Sequence, residues 1–201
     1  MSEDADTEEE VKYSIHYEGD EEASEYYTKD GKATVQYANG DTFDGDLVNG
    51  SKHGKGVYTW KALKASFDGE WQNDVRCGHG KFVYPDGSNY QGAWQNNQRH
   101  GKGTFVYANG DSYCGDYVNG KREGQGIYTY HSDHSQLIGQ WKDDKFVSGK
   151  WRYHDQTQFV GNFNHNIPDG KGVFIFASNN QDHGVYDYGV WQSQSVVYNE
   201  A

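Results

Sequence analysis

The parts of this 201-residue chain that could do chemistry are nine histidines, two cysteines and a series of Gly-x-Gly tripeptides. A metal site needs three or four nitrogen, sulfur or carboxylate ligands converging on one point. His53 and His100 lie far apart, with no cysteine or acid at ligand spacing beside either, and His131 and His134 form a closer pair around Asp133 in a turn-like stretch. His79 sits between two glycines. Phosphate cradling is suggested by Gly54-Lys55-Gly56, Gly78-His79-Gly80, Gly101-Lys102-Gly103 and Gly170-Lys171-Gly172. None of these leads from a parallel strand into a helix, and no Gly-Lys-Ser/Thr stands at P-loop spacing. The scattered Asp, His and Ser residues form no catalytic constellation, so the expectation is no enzyme and no catalytic, cofactor-binding or metal site.

The elements that carry these residues explain their spacing. Gly45, Gly69, Gly92, Gly115, Gly139, Gly161 and Gly184 recur at intervals of 24, 23, 23, 24, 22 and 23 residues, and Gly31, Gly54, Gly78, Gly101, Gly124 and Gly170 form a second series that trails the first by nine residues wherever both members are present. A period of this size is one small supersecondary unit copied many times. Within a copy, as in Tyr90-Gln91-Gly92-Ala93-Trp94 followed by Gly101-Lys102-Gly103-Thr104-Phe105-Val106-Tyr107, the marked residues fall on every second position. That alternation predicts strands with one face set apart from the other. Asn-Gly and Asp-Gly steps in Tyr37 to Asp41, Tyr84 to Ser88 and Tyr107 to Asp111, with further turns at Asn49-Gly50 and Asn119-Gly120, make each unit a hairpin in an up-and-down meander. Glycine weakens a strand, so its repetition calls for a compensation: Gly45, Gly54 and Gly56 are expected to form a floor on which neighbouring rings lie flat.

Composition bounds the function. Aromatics make up 16% of the residues, and any core must be built from them. The first thirty residues carry a net −10 of the total −12, which leaves residues 31–201 near neutral and without a basic stripe for nucleic acid. No signal or transit peptide and no run of eighteen apolar residues is found, and Cys77 and Cys114 sit at non-equivalent positions, which points to free thiols and a reducing compartment.

Aromatic-x-Gly-x-aromatic followed by His-Gly-x-Gly resembles the MORN repeat, which His53-Gly54-Lys55-Gly56 and His100-Gly101-Lys102-Gly103 match residue for residue. The resemblance runs from about residue 17 to 188. It implies an all-β fold, an elongated single-layer antiparallel sheet of tandem hairpins, curved and twisted. The acidic start, the array without an attached domain, and the end from Asn164 to Phe174 leading into Gln181 to Tyr186 are similar to radial-spoke-head members of that family. This implies a place in the axoneme of motile cilia and flagella, within cytoplasm and cytoskeleton. It also implies other spoke-head proteins, and a second copy of the chain, as partners, with the central-pair apparatus in contact.

The expected organisation is an acidic disordered segment over 1–15, the array over 16–191, with worn units at both ends and near 137–153, and a tail over 192–201. A single layer leaves one ring-rich face unburied, so the expected protein-interaction surface is Tyr58, Trp60, Phe82, Tyr84, Phe105, Tyr107, Tyr128, Tyr130, Trp151, Tyr153, Phe174 and Phe176. Two other readings stay open: a phospholipid-associating adaptor, opposed by the charge balance, and a cytoskeletal adaptor outside cilia.

Overall fold

The computed structural model describes residues 13–199. The acidic stretch 1–12 lies outside the described residues. The chain divides into two compact units, Met1–Pro85 and Asp86–Ala201. The first holds β1 (Tyr13–Tyr17), β2 (Gly31–Tyr37), β3 (Thr42–Val48), β4 (Ser51–Trp60), β5 (Ala65–Gln72) and β6 (Val75–Val83). The second holds β7 (Asn89–Gln95), β8 (Gln98–Val106), β9 (Ser112–Val118), β10 (Lys121–Thr129), β11 (Gln136–Lys142), β12 (Lys145–Arg152), β13 (Gln158–Asn164), β14 (Ile167–Ile175), β15 (Gln181–Asp187) and β16 (Val190–Val197). Within each unit every strand pairs antiparallel with the next one in sequence, and no helix occurs among the described residues. The fold is the all-β antiparallel meander expected. Pairing reaches past both expected ends of the array: β1 starts at Tyr13, and β16 pairs with β15 as far as Val197.

Two kinds of turn alternate. The tight ones, Asn49-Gly50, Asn73-Asp74, Asn96-Asn97, Asn119-Gly120, Asp143-Asp144 and His165-Asn166, place both central residues in the left-handed region, as in φ 49° and 65° at Asn96 and Asn97. This is the two-residue hairpin whose twist matches that of its strands. Two of the wider ones are built around a buried acid at the position just before the next strand. Asp41 takes hydrogen bonds from the Asn39 amide (2.9 Å), the Tyr58 hydroxyl (3.1 Å) and the main-chain N–H of Lys61 (3.0 Å). Asp111 does the same with Asn109, Tyr128 (2.6 Å) and His131 (2.8 Å). Both carboxylates are buried. Each therefore satisfies its own turn and ties it to the next hairpin.

The two glycine series do different jobs. Gly45 faces Gly56 across β3 and β4, and a methyl group on Gly56 would come within 2.5 Å of the Phe43 ring, which lies over both. The same floor recurs at Gly69 with Gly80 and at Gly115 with Gly126. Gly54 does not belong to it, contrary to the sequence expectation. Its φ is 61°, and it sits where β4 gains two residues on β3 between the Gly45–Gly56 and Asp46–His53 pairs. Gly78, Gly101 and Gly124 repeat this bulge with φ of 55°, 61° and 65°. At two of these bulges an acid on the facing strand caps the extra main-chain N–H: Glu70 accepts from His79 (2.9 Å) and Asp116 from Gln125 (3.1 Å). The second series is thus required for a left-handed backbone, where a side chain would be strained.

Candidate functional site

Register sorts the rings into rows on one face. In the first unit Phe43, Tyr58, Phe67 and Phe82 stand opposite one another from β3 to β6. In the second, Tyr90, Phe105, Tyr113, Tyr128, Leu137, Trp151, Phe159 and Phe174 do so from β7 to β14. Members on the first strand of each hairpin, Phe43, Phe67, Tyr90, Tyr113, Leu137 and Phe159, are 0–2% exposed and form the core, and all but Leu137 lie on their glycine floor, the ring nearest Gly149 being Phe146. Those on the second strand stand higher. Each leans on a ring two residues further along the same strand: Tyr58 on Trp60 at 4.5 Å, Phe82 on Tyr84 at 4.5 Å, Phe105 on Tyr107 at 4.6 Å, Tyr128 on Tyr130 at 4.9 Å and Trp151 on Tyr153 at 4.9 Å. Phe174 and Phe176 are parallel but looser, at 6.5 Å.

The twelve ring residues singled out from sequence are these second-strand pairs. Ten are half-buried and Phe176 is exposed, whereas Phe105 is buried at 8%. Burial pushes the Tyr153 hydroxyl up to about 12, and the hydroxyls of Tyr58 and Tyr128 are raised by burial first and then by their hydrogen bonds to Asp41 and Asp111. These phenols stay neutral donors at any physiological pH.

Sequence reasoning missed a set of cations beside the rings, Lys52 and Arg76 in the first unit and Arg99 and Arg122 in the second. Each follows a tight turn and lies over rings of its own and adjacent strands. Arg122 is 4.5 Å from the centre of Trp141 and 5.5 Å from that of Tyr113, Arg99 is 5.2 Å from those of Phe105 and Tyr117, and Lys52 is 5.5 Å from Tyr58 and Trp71. A cation over an aromatic face gains about 0.5–2 kcal/mol, more as water is excluded. Burial pulls the Arg76 guanidinium below its ordinary value. The signal was present as a basic residue recurring at intervals of 24, 23 and 23, three places after each turn asparagine.

Beyond the cations lie large side chains. Trp71 and Trp141 donate their indole N–H to the carbonyls of Gly56 (3.0 Å) and Gly126 (3.2 Å). Tyr117 replaces the indole in its repeat and leaves a buried hydroxyl without a partner, as are the Nδ1 atoms of His53 and His100. The opposite face carries a groove of about 490 Å3 in the second unit, lined by residues that include Thr104, the exposed thiol of Cys114, Gln125, Ile127 and Ile138. Among the described residues no three His, Cys, Asp or Glu side chains gather as a metal-ligand set.

A 53-residue stretch is 38% identical to MORN repeat-containing protein 3 of Xenopus laevis, and spans 26% of this chain and 22% of that protein. Two solved structures share the fold at a TM-score of 0.51. One is the G-box domain of the microcephaly protein CPAP, 9% identical over 82% of this chain and 86% of that one. The other is the TCP domain of SAS-4 from Drosophila melanogaster, solved with a proline-rich motif of Ana2, 14% identical over 85% and 97%. These identities speak for fold alone. The model of the MORN repeat matches residues 43–62, 67–89, 90–112, 113–135, 138–158 and 159–181, more than half of the chain. With its glycine floor, ring rows and hairpin period all in that register, the chain belongs to the MORN-repeat family, whose arrays are generally non-enzymatic modules for protein interaction and membrane association.

Proposed function

We propose that this protein is a non-catalytic scaffold that docks other polypeptides on its ring face, and that it acts in the axoneme of motile cilia or flagella as a subunit of the radial spoke head. The observation that carries the docking half is the row of paired second-strand rings, half-exposed and bordered by the cations. Tyr, Trp and Arg are the residues that dominate protein interfaces, since they bring large contact area with polar tips. The axonemal half rests on the resemblance of the acidic start and of the irregular end, Asn164 to Tyr186, to radial spoke head protein 1. Other spoke-head proteins and a second copy of this chain are the proposed partners, next to the central-pair apparatus.

Cross-linking mass spectrometry on isolated axonemes tests both halves. Cross-links from Lys61 and Lys121 to spoke-head subunits are the expected result. Cross-links mainly to cytoskeletal chains outside the spokes would favour the general adaptor. Co-sedimentation with anionic vesicles that is lost in high salt would favour the phospholipid reading.

A further inference from the structure

For two of the cations beside the rings the following hairpin supplies a carboxylate. Asp144, second residue of its tight turn, accepts from the main-chain N–H of Arg122 (2.9 Å) and from its Nε (3.3 Å), while Arg122 Nη2 donates to the Asp144 carbonyl (2.6 Å). Asp74 stands in the same relation to Lys52, accepting from its main-chain N–H at 3.0 Å and from its ammonium at 2.6 Å. Arg99 keeps only the main-chain half. Its Nη2 donates to the Gly120 carbonyl (2.6 Å), and the Gly120 N–H returns to the Arg99 carbonyl (2.9 Å), but Gly120 has no side chain to reach back. A Cβ built on Gly120 would meet nothing within 4 Å, so the volume that Asp144 fills beside Arg122 is open beside Arg99. Arg99 is held over Tyr90, Phe105 and Tyr117, and among the described residues no acid pairs with it.

We infer that the open place at Gly120 is a docking site for an acidic side chain of a partner polypeptide, whose carboxylate takes the main-chain N–H and Nε of Arg99 in trans as Asp144 takes those of Arg122 in cis. A carboxylate matches this pair of donors in geometry, because the molecule itself uses one there in the next repeat. The rings of Phe105 and Tyr107 border the site, so a Glu or Asp flanked by apolar residues is the sequence it fits. The site deepens the docking function proposed above and rests on it.

The test uses the 15N-labelled full chain and follows the Arg99 amide and Nε–H signals while N-acetyl-glutamate methylamide is added, with N-acetyl-glutamine methylamide and inorganic phosphate as comparisons. Saturable shifts at Arg99 with the glutamate probe, little change at Arg122 and no response to the glutamine probe are expected. Gly120→Asp should build the carboxylate in cis and weaken the probe about tenfold or more. It should also fold, because Asp74 and Asp144 hold the same turn position at φ 64° and 65°. Arg99→Gln should abolish the response by an independent route. A silent Arg99, equal shifts in Gly120→Asp, or an equal response at Arg122 would overturn the site. A stronger response to phosphate, or vesicles of phosphatidylserine quenching the Arg99 signals, would reassign it to a phosphate-bearing ligand and overturn the carboxylate. A silent Arg99 alongside intact protein cross-links would sink this site and leave the ring face standing.

Discussion

Two neighbouring hairpins of the second unit, β9–β10 and β11–β12, solve the same packing problem with different parts. In the first, Arg122 lies over Tyr113 and Trp141, and Gly124 supports a bulge that adds two residues to β10. In the second, the equivalent of Arg122 is Phe146, fully buried against Trp141 at 5.2 Å and Phe163 at 4.6 Å. Its bulge adds one residue, Val147, and has no left-handed glycine. What looks like a worn copy in sequence is a complete unit in which a guanidinium has been exchanged for a ring and the bulge shortened to match. The floor glycines survive in both, as Gly115 with Gly126 and Gly139 with Gly149. The floor pair is therefore what these two hairpins keep in common, while the bulge and the cation are adjustable.

The largest effect should come from filling the floor. Gly126→Ala places a methyl group within 2.5 Å of the Tyr113 ring and against its hydroxyl, and that ring is fully buried. Overpacking of this kind costs about 1–3 kcal/mol, or a drop of several degrees in Tm at roughly 2–4 °C per kcal/mol for a chain of this size. An unchanged Tm would mean that the floor is not what seats the ring. Next come the bulge residues, where the two hairpins should respond with different strength. Gly124→Val puts a β-branched residue at φ 65° and should cost about 1–2 kcal/mol. The reverse exchange, Val147→Gly, removes no left-handed requirement and should stay within the roughly 0.5–1 kcal/mol that glycine costs in a strand. Equal losses in the two variants would break the distinction drawn between them.

Acid sensitivity separates the entries to these hairpins. Burial by itself would raise the Asp111 carboxyl, but the His131 N–H, the Tyr128 hydroxyl and the Asn109 amide hold it below the usual range. A carboxylate depressed in the folded state contributes stability in full above its unfolded value, near 3.9, and loses it as pH falls through the lower folded value. Urea midpoints measured from pH 5 downward should therefore fall more steeply for the wild type than for Asp111→Asn. Ser135 holds the same place before β11, is buried without charge and should show no such slope when changed to Ala. The smallest expected effect is the pairwise coupling of Arg122 with Asp144, taken apart from the cation contact with Trp141 that Arg122→Gln also removes. The ion pair is half-exposed, worth about 0–1 kcal/mol, and a double-mutant cycle of Arg122→Gln with Asp144→Asn should give a coupling in that range.

Much of this was legible in the residues. Period-two rings around Gly45 or Gly115 state which face is distinguished, and Asn49-Gly50 or Asn119-Gly120 state where the chain turns, because both depend on local sterics that a residue type carries with it. Gly54 was misassigned to the floor for a physical reason: spacing reports that a side chain is missing, not whether the missing atom makes room for a ring or permits a positive φ. Arg76, Arg99 and Arg122 were overlooked because charge was weighed as a sum over the array, where they cancel against acids, while their importance comes from desolvation over specific rings. The split between core rings such as Tyr113 and half-exposed ones such as Tyr128 depends on which strand of a hairpin carries the higher ring. Only register across strands decides that.

The contact between one tight turn and the residue behind it gives the array a direction. Asp144 completes Arg122, Asn166 accepts from the main-chain N–H of Phe146, and Asp74 completes Lys52, in each case with the acceptor on the later tight turn and the capped main-chain N–H on the earlier strand. A ladder whose rungs carry this acceptor on the later side of each joint cannot be read equally well from either end. A whole hairpin copied or deleted during evolution would keep its backward-reaching lock and inherit a new neighbour to fasten, so such a protein can change length one rung at a time, with the acid or glycine at each tip deciding whether the new joint is closed from within or left for another molecule.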